Sequence, residues 1–210
     1  RYSDYTIREY IRNFIMSKLE TNTIDTVSGT TNLVIGSTNT STIALGASGD
    51  TVTVPNGALT GQNYPAFEAH LGSSQLFSDN TQVKINFNTK DFDTDNCYDN
   101  TTNYRFTPNV AGKYFVFSCV RFDGRQTTNL NLIHLQIYKN GSVYKANQSY
   151  FIASYIRQMS VTINAVIDMN GSSDYLEMYG YLDMVNASLD ARFSSGSTRD
   201  ASFGAYRIGA

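Results

Sequence analysis

Tryptophan is absent from these 210 residues, and there are only two histidines, two cysteines and three prolines. Each scarcity closes off a class of protein. His70 and His134 lie in no Ser/His/Asp or metal-ligand spacing, and no glycine-rich phosphate loop precedes a helix, so the sequence predicts no enzyme. Cys97 and Cys119 are too few for a disulfide scaffold. Joined, they would close a span of 22 residues and contribute about 3 kcal/mol; the alternative is two buried thiols. Charged residues make up 16% of the chain and the formal net charge is −2, so no basic footprint for nucleic acid exists. No apolar run approaches the length of a membrane span, and no membrane insertion is expected. The chain opens on Arg1 rather than Met, which is expected of a processed chain or of part of a longer one.

What is abundant is Gly, Ser, Thr and Asn, with 15 Tyr and 12 Phe supplying the bulk. β-Branched and aromatic side chains suit a pleated surface, so the composition favours strands. Three segments follow. Residues 1–21 carry Ile7, Ile11 and Phe14 at alternating four and three spacing, flanked by Ile15 and Leu19, with Ser3 or Asp4 as a cap. This predicts a short helix, too short to be stable alone, that either nucleates a trimer or docks on another protein, or else packs on its own chain. Residues 22–63 repeat one phrase three times: Leu33 and Ile35, Ile43 and Leu45, Val52 and Val54, each pair two apart and followed by a turn former. Such pairs share one face of a strand, and six large side chains cannot close a core around themselves. Identical chains winding about one axis would cover them, which predicts the shaft of a homotrimeric fibre.

Residues 64–210 read as strands near 66–71, 82–87, 103–107, 113–122, 130–139, 142–147, 158–168, 175–183 and 201–208, with turns at Asn109–Gly112, Lys139–Ser142 and Asp168–Gly171. Strands at this spacing point to a sandwich or jelly roll. The run Cys97–Phe117 contains Tyr98-Asp99, then Phe106-Thr107-Pro108, then Ala111-Gly112-Lys113-Tyr114-Phe115-Val116-Phe117. Ala66–Ala69, Leu135–Gly141, Val166–Met169 and Ser202–Tyr206 follow in matching order. Together they resemble the globular head of the complement 1q family, within the tumour necrosis factor superfamily. The departures are Ala111 for the usual Pro, Val116 for Phe, and Gly204-Ala205 for Ser-Gly. The resemblance implies an all-β trimeric jelly roll. The family's collagen stalk is missing; the Thr/Asn/Gly shaft in its place, with the phrases Ser37-Thr38-Asn39-Thr40-Ser41-Thr42-Ile43 and Gly46-Ala47-Ser48-Gly49-Asp50-Thr51-Val52-Thr53-Val54-Pro55, resembles fibre proteins of tailed bacteriophages, which implies a virion surface location. Six Asn-x-Ser/Thr triplets would be glycan acceptors only in a eukaryotic secretory pathway, the setting of a secreted lectin-like relative.

Two sets of candidate site residues emerge. Asp91, Asp93, Asp95 and Asp99 alternate in a loop-like stretch, a pattern that can converge on calcium, the one cofactor the sequence admits, or can cap its own turns. If strands alternate from residue 66, the longer connections 123–129, 148–157 and 184–200 share the end far from the shaft. They carry Arg125, Gln126, Tyr150, Tyr155, Arg157, Arg192 and Arg199, residue types suited to recognition. The alternative is that these arginines pair with Asp123, Asp183, Asp190 and Asp200. Tyr114, Phe115, Phe117, Tyr179, Tyr181, Phe203 and Tyr206 are expected in the core and subunit interface. The sequence therefore predicts a phage fibre whose head attaches to a host receptor or glycan, a purely structural fibre being the other reading.

Overall fold

A computed structural model describes Thr51 and residues 64–125, 130–152, 156–186, 188–196 and 198–209. The expected helix and the shaft pairs Leu33, Ile35, Ile43, Leu45, Val52 and Val54 lie outside the described residues, as do Gln126 and Tyr155. Apart from Thr51, the described residues belong to one compact unit, Thr60–Ala210. They form thirteen strands and no helix: β1 Ala66–His70, β2 Gln75–Phe77, β3 Thr81–Lys84, β4 Thr89–Asp93, β5 Tyr98–Asp99, β6 Arg105–Phe106, β7 Ala111–Asp123, β8 Leu130–Lys139, β9 Ser142–Tyr150, β10 Gln158–Asn170, β11 Leu176–Met184, β12 Ala191–Ser194 and β13 Ala201–Gly209.

The strands make two antiparallel sheets. In the first, β10 lines one edge of β7, β13 and β12 line the other, and β1 and β4 follow beyond β13, with β2 outside β12. In the second, β9, β8 and β11 are neighbours, and β11 also pairs with β6 and β3. The order β10-β7-β13-β1 against β9-β8-β11-β6 is that of a jelly roll, built from strands far apart in sequence. Alternation along β7 decides which side chains meet between the sheets: Tyr114, Val116, Val120 and Phe122 are buried, while Phe115, Phe117 and Cys119 face out.

Aromatic rings fill the space between the sheets. Phe67 stacks on Tyr98 at 4.5 Å and on Phe106 at 4.6 Å, and meets Phe203 edge-on at 4.9 Å. The Tyr98 hydroxyl donates to the Phe87 carbonyl at 3.0 Å, so this polar tip is satisfied in the core. Burial pushes the phenols up: Tyr98 far beyond its usual range, Tyr114 to about 12. Cys97 and Cys119 are free thiols, both pushed up by burial.

The Asn140-Gly141 hairpin has φ 53° and 78°, the left-handed pair that a two-residue turn matching strand twist requires. β9 is exposed along almost its whole length and, among the described residues, no strand lies beyond β10, so the sandwich has an open side there. Side chains close it. Lys139 Nζ, Tyr144 OH, Lys145 Nζ and Asn147 Nδ2 donate to the carbonyls of Asp168 (2.7 Å), Val166 (3.4 Å), Asn164 (2.8 Å) and Thr162 (2.8 Å). These alternate carbonyls point away from β7, and occupying them blunts an edge that could otherwise recruit another strand.

Four strands lie where the sequence reading placed none: β2, β4, β5 and β12. β4 occupies much of the acidic stretch and β12 sits inside the connection 184–200, which was expected to be a long loop. Both are short and mostly polar, so they carry too little apolar alternation to signal a strand; pairing with β1 and β7 selects them.

Candidate attachment surface

Register fixes the two ends of the sandwich. Ala66 lies opposite Tyr206, which lies opposite Phe115, while His70 lies opposite Ser202 and Ser202 opposite Cys119. The end where Pro65 leads into β1 therefore holds the tight turns at Ala111, Asn140 and Asn170. At the opposite end β7 finishes at Asp123, β10 begins at Gln158 and β12 pairs with the last residues of β7. Gly124 N–H donates to the Arg157 carbonyl at 2.9 Å, and Leu130 N–H to that of Ile156 at 3.1 Å. The three longer connections meet at this end, as strand alternation predicts.

Asp123 is their common anchor. Its side chain is 0% exposed. One carboxylate oxygen accepts the Arg125 N–H at 2.7 Å and Arg157 Nε at 3.2 Å, and the other accepts Arg192 Nη2. Burial pushes this carboxyl up, but hydrogen bonds from Gln158, Arg125, Arg192 and Arg157 outweigh it and hold the group below its usual range. Arg121 pairs with Asp200. Arg199 reaches Asp91 at 2.7 Å, and the other oxygen of Asp91 meets His70 Nδ1 at 2.9 Å. Arg125 and Arg199 both sit at left-handed φ, 61° and 55°, which non-glycine residues adopt only when their surroundings impose it.

Arg157 and Arg192 are thus brought together on Asp123, and Arg121 and Arg199 each pair with an aspartate of their own, whereas Arg125 is held through its backbone N–H. Of the acids expected to pair with them, Asp123 and Asp200 do so, whereas Asp183 accepts Asn131 Nδ2 at 2.5 Å. What the end exposes is mixed. Arg157 and Arg199 keep 47% and 55% of their side chains in solvent, and the connections 148–157 and 184–200 that carry them also expose apolar side chains: Tyr150 is 63% exposed, Ile152 83% and Val185 69%. Sequence reasoning missed Ile152 and Val185 because each continues an apolar run past a strand end (Tyr150-Phe151-Ile152, Met184-Val185), where alternation no longer says which side chain faces out.

The four aspartates of the calcium expectation are not brought together. Asp91 is held by Arg199 and His70. Asp93 accepts Lys90 Nζ and the N–H groups of Cys97 and Tyr98. Asp99 caps the turn that follows it. Among the described residues, no three His, Cys, Asp or Glu side chains are grouped as a metal site needs. Asp91 and Asp93 sit in β4 rather than in a loop.

A second outward surface lies on the first sheet. Phe115 packs against Phe117 at 6.2 Å and Tyr206 at 5.5 Å, and Phe117 lies over Gly204, where a Cβ would run into its ring. Val166 and Ile208, each 50% exposed, extend this aromatic patch. Tyr114 and Phe203 are core residues, whereas Tyr179 and Tyr181 face out from the second sheet.

No family model and no curated protein matches the chain. Among solved structures it is similar to the globular domain of zebrafish complement 1qA protein, 15% identical over 69% of this chain and 97% of that one, with TM-score 0.48. It is also similar to murine APRIL, at 10% identity, 70% and 100% coverage and TM-score 0.49. A third likeness is Eiger TNF from S. frugiperda, at 8% identity, 70% and 92% coverage and TM-score 0.46. No helix among the described residues is long and apolar enough to cross a membrane.

Proposed function

We propose that this chain is a homotrimeric fibre protein of a bacteriophage virion, non-enzymatic, whose head attaches non-covalently to a host-surface receptor or glycan. Residues 1–21 dock on other virion proteins, and the repeated phrases of residues 22–63 form the shaft. The outward aromatic patch around Phe115, Phe117 and Tyr206 supports self-association of the head, because burying rings of this size against another copy removes a large apolar area from water. The observation that carries attachment is the far end itself: three connections anchored on one buried carboxylate, which between them expose Tyr150, Ile152, Val185, Arg157 and Arg199. A rigid frame holding exposed aromatic, aliphatic and arginine side chains is what recognition by contact area requires. Three such ends on one particle gain avidity through effective concentration, so each need bind only weakly.

The test uses purified protein to block adsorption of the particle that carries it. Wild-type protein is expected to block, and the variant Tyr150→Ser with Ile152→Ser to block at least about tenfold less well. Equal blocking by the variant would remove this end from the account. Failure of the wild type to bind host cells at all would leave a purely structural fibre. Alanine at Arg157 and Arg192 is the poorer probe, because it strands Asp123 without its partners.

A further inference from the structure

On the side of the sandwich, away from the Asp123 end, the turn from Asn96 to Asn103 and strands β5 and β6 enclose an open hollow of about 460 Å³. That volume lies within the range of about 300–1,000 Å³ typical of small-molecule sites. Its wall is polar and held stiffly. Asp99 sits at the centre of the turn: Oδ1 accepts the N–H groups of Thr101 and Thr102 and the Thr101 hydroxyl, and Oδ2 accepts the N–H and Nδ2 of Asn103, all at 2.8–3.0 Å. Those bonds hold its carboxyl far below the ordinary range and use up its acceptor capacity. Asn96, at φ 53°, is fixed by Lys90, which donates to its Oδ1 at 3.3 Å. Asn100 Nδ2 is tied to the Asn88 carbonyl at 2.8 Å.

What the wall leaves over defines a ligand. Each asparagine carries two donors and an acceptor, and in each the fold uses one end. The amide N–H groups of Asn96 and the side-chain oxygens of Asn100 and Asn103 have no hydrogen-bond partner among the described residues. The Thr107 hydroxyl, which can both give and receive, has none either. Arg105 lines the hollow; its guanidinium forms no salt bridge among them and lies 4.6 Å above the ring of Tyr175. The residues around this one space therefore offer both donors and acceptors. An inorganic anion would use only the donors and would face the Asp99 carboxylate. A metal ion would find amide oxygens but no available carboxylate. An apolar molecule would leave all of these groups unpaired, at a cost for each. A ring bearing several hydroxyls matches them, since every hydroxyl is donor and acceptor at once.

We propose that this hollow binds a saccharide residue, with Arg105, Asn103 and Thr107 as its principal contacts. The site goes beyond the attachment proposed at the Asp123 end and shares no residue with it, so either can fail while the other stands. Because the asparagine turn is already tied in place, binding requires little ordering of the protein.

Saturation-transfer NMR on the full chain, with galactose, N-acetylglucosamine and glucuronate each at millimolar concentration, provides the test. Transfer to the ring protons of at least one sugar is expected, with backbone amide shifts centred on residues 96–107. Arg105→Gln, or Thr107→Val as the gentler change, should weaken that binding by about tenfold with the circular dichroism spectrum unchanged. Loss in either variant supports the site. No transfer to any of the three sugars, amide shifts confined to other residues, or binding held within about twofold by both variants would overturn it.

Discussion

Replacing Asp123 with Asn leaves the volume at the far end almost unchanged while removing the charge on which three segments converge. The buried carboxylate accepts Arg157 Nε, Arg192 Nη2 and the Arg125 N–H. Hydrogen bonds to charged groups contribute about 1.5–3 kcal/mol each against about 1 kcal/mol for neutral ones. Two guanidinium bonds would thus lose about 1–4 kcal/mol between them. The arginine arms are 47% and 30% exposed, so water screens part of that loss, and about 2 kcal/mol is the expected destabilisation. This is smaller than the about 3–5 kcal/mol for breaking a fully buried pair. Urea unfolding followed by circular dichroism, at fixed protein concentration because an oligomer's stability depends on it, would measure the change. Hydrogen exchange at the Gly124 and Leu130 amides should rise with it. Acid supplies a second check. A carboxylate held below its ordinary value of 3.8 contributes stability above that pH and loses it as pH falls through the folded-state value. The gap between wild type and Asp123→Asn should therefore close in strong acid. A gap below about 0.5 kcal/mol at neutral pH, or one that persists unchanged in acid, would refute the anchoring role.

Three further outcomes are expected. Phe67→Ala removes the ring on which Tyr98, Phe106 and Phe203 converge and should cost about 3–5 kcal/mol in urea unfolding. Removing the donors at Lys145 and Asn147 together should raise exchange at β10 amides and increase aggregation measured by light scattering, with little change in core stability. Tyr206→Asp, on the outward patch and 46% exposed, should lower the oligomer mass in sedimentation while the circular dichroism spectrum is retained.

How legible this molecule is from its sequence depends on the signal that each part carries. β7, β8, β10 and β11 announce themselves, because runs of nine to thirteen residues rich in β-branched and aromatic side chains, alternating along most of β7 and β10, have one cheap structural solution. The Asn140-Gly141 turn is equally plain, since few pairs tolerate two left-handed residues in succession. Strand alternation also placed Arg125, Arg157 and Arg192 correctly at one end. Sequence spacing said nothing of what those arginines touch. Arg157 and Asp123 are 34 residues apart, and Arg192 and Asp123 are 69 apart, so only the jelly-roll register brings them together. Asp91 misled for the same reason: its local neighbours suggested an ion-binding loop, but its partners are His70 and Arg199, delivered by β1 and the connection before β13. The hollow lined by Asn96, Asn100 and Asn103 overlaps the end of that acidic stretch, and amide side chains in a polar run carry no periodicity that would mark it.

The central claim is that three copies share what one cannot bury. Sedimentation velocity on the full chain at micromolar concentration tests it directly, and the account predicts a single species at three times 23.3 kDa, with an elongated frictional ratio. A compact folded monomer persisting at that concentration would contradict it.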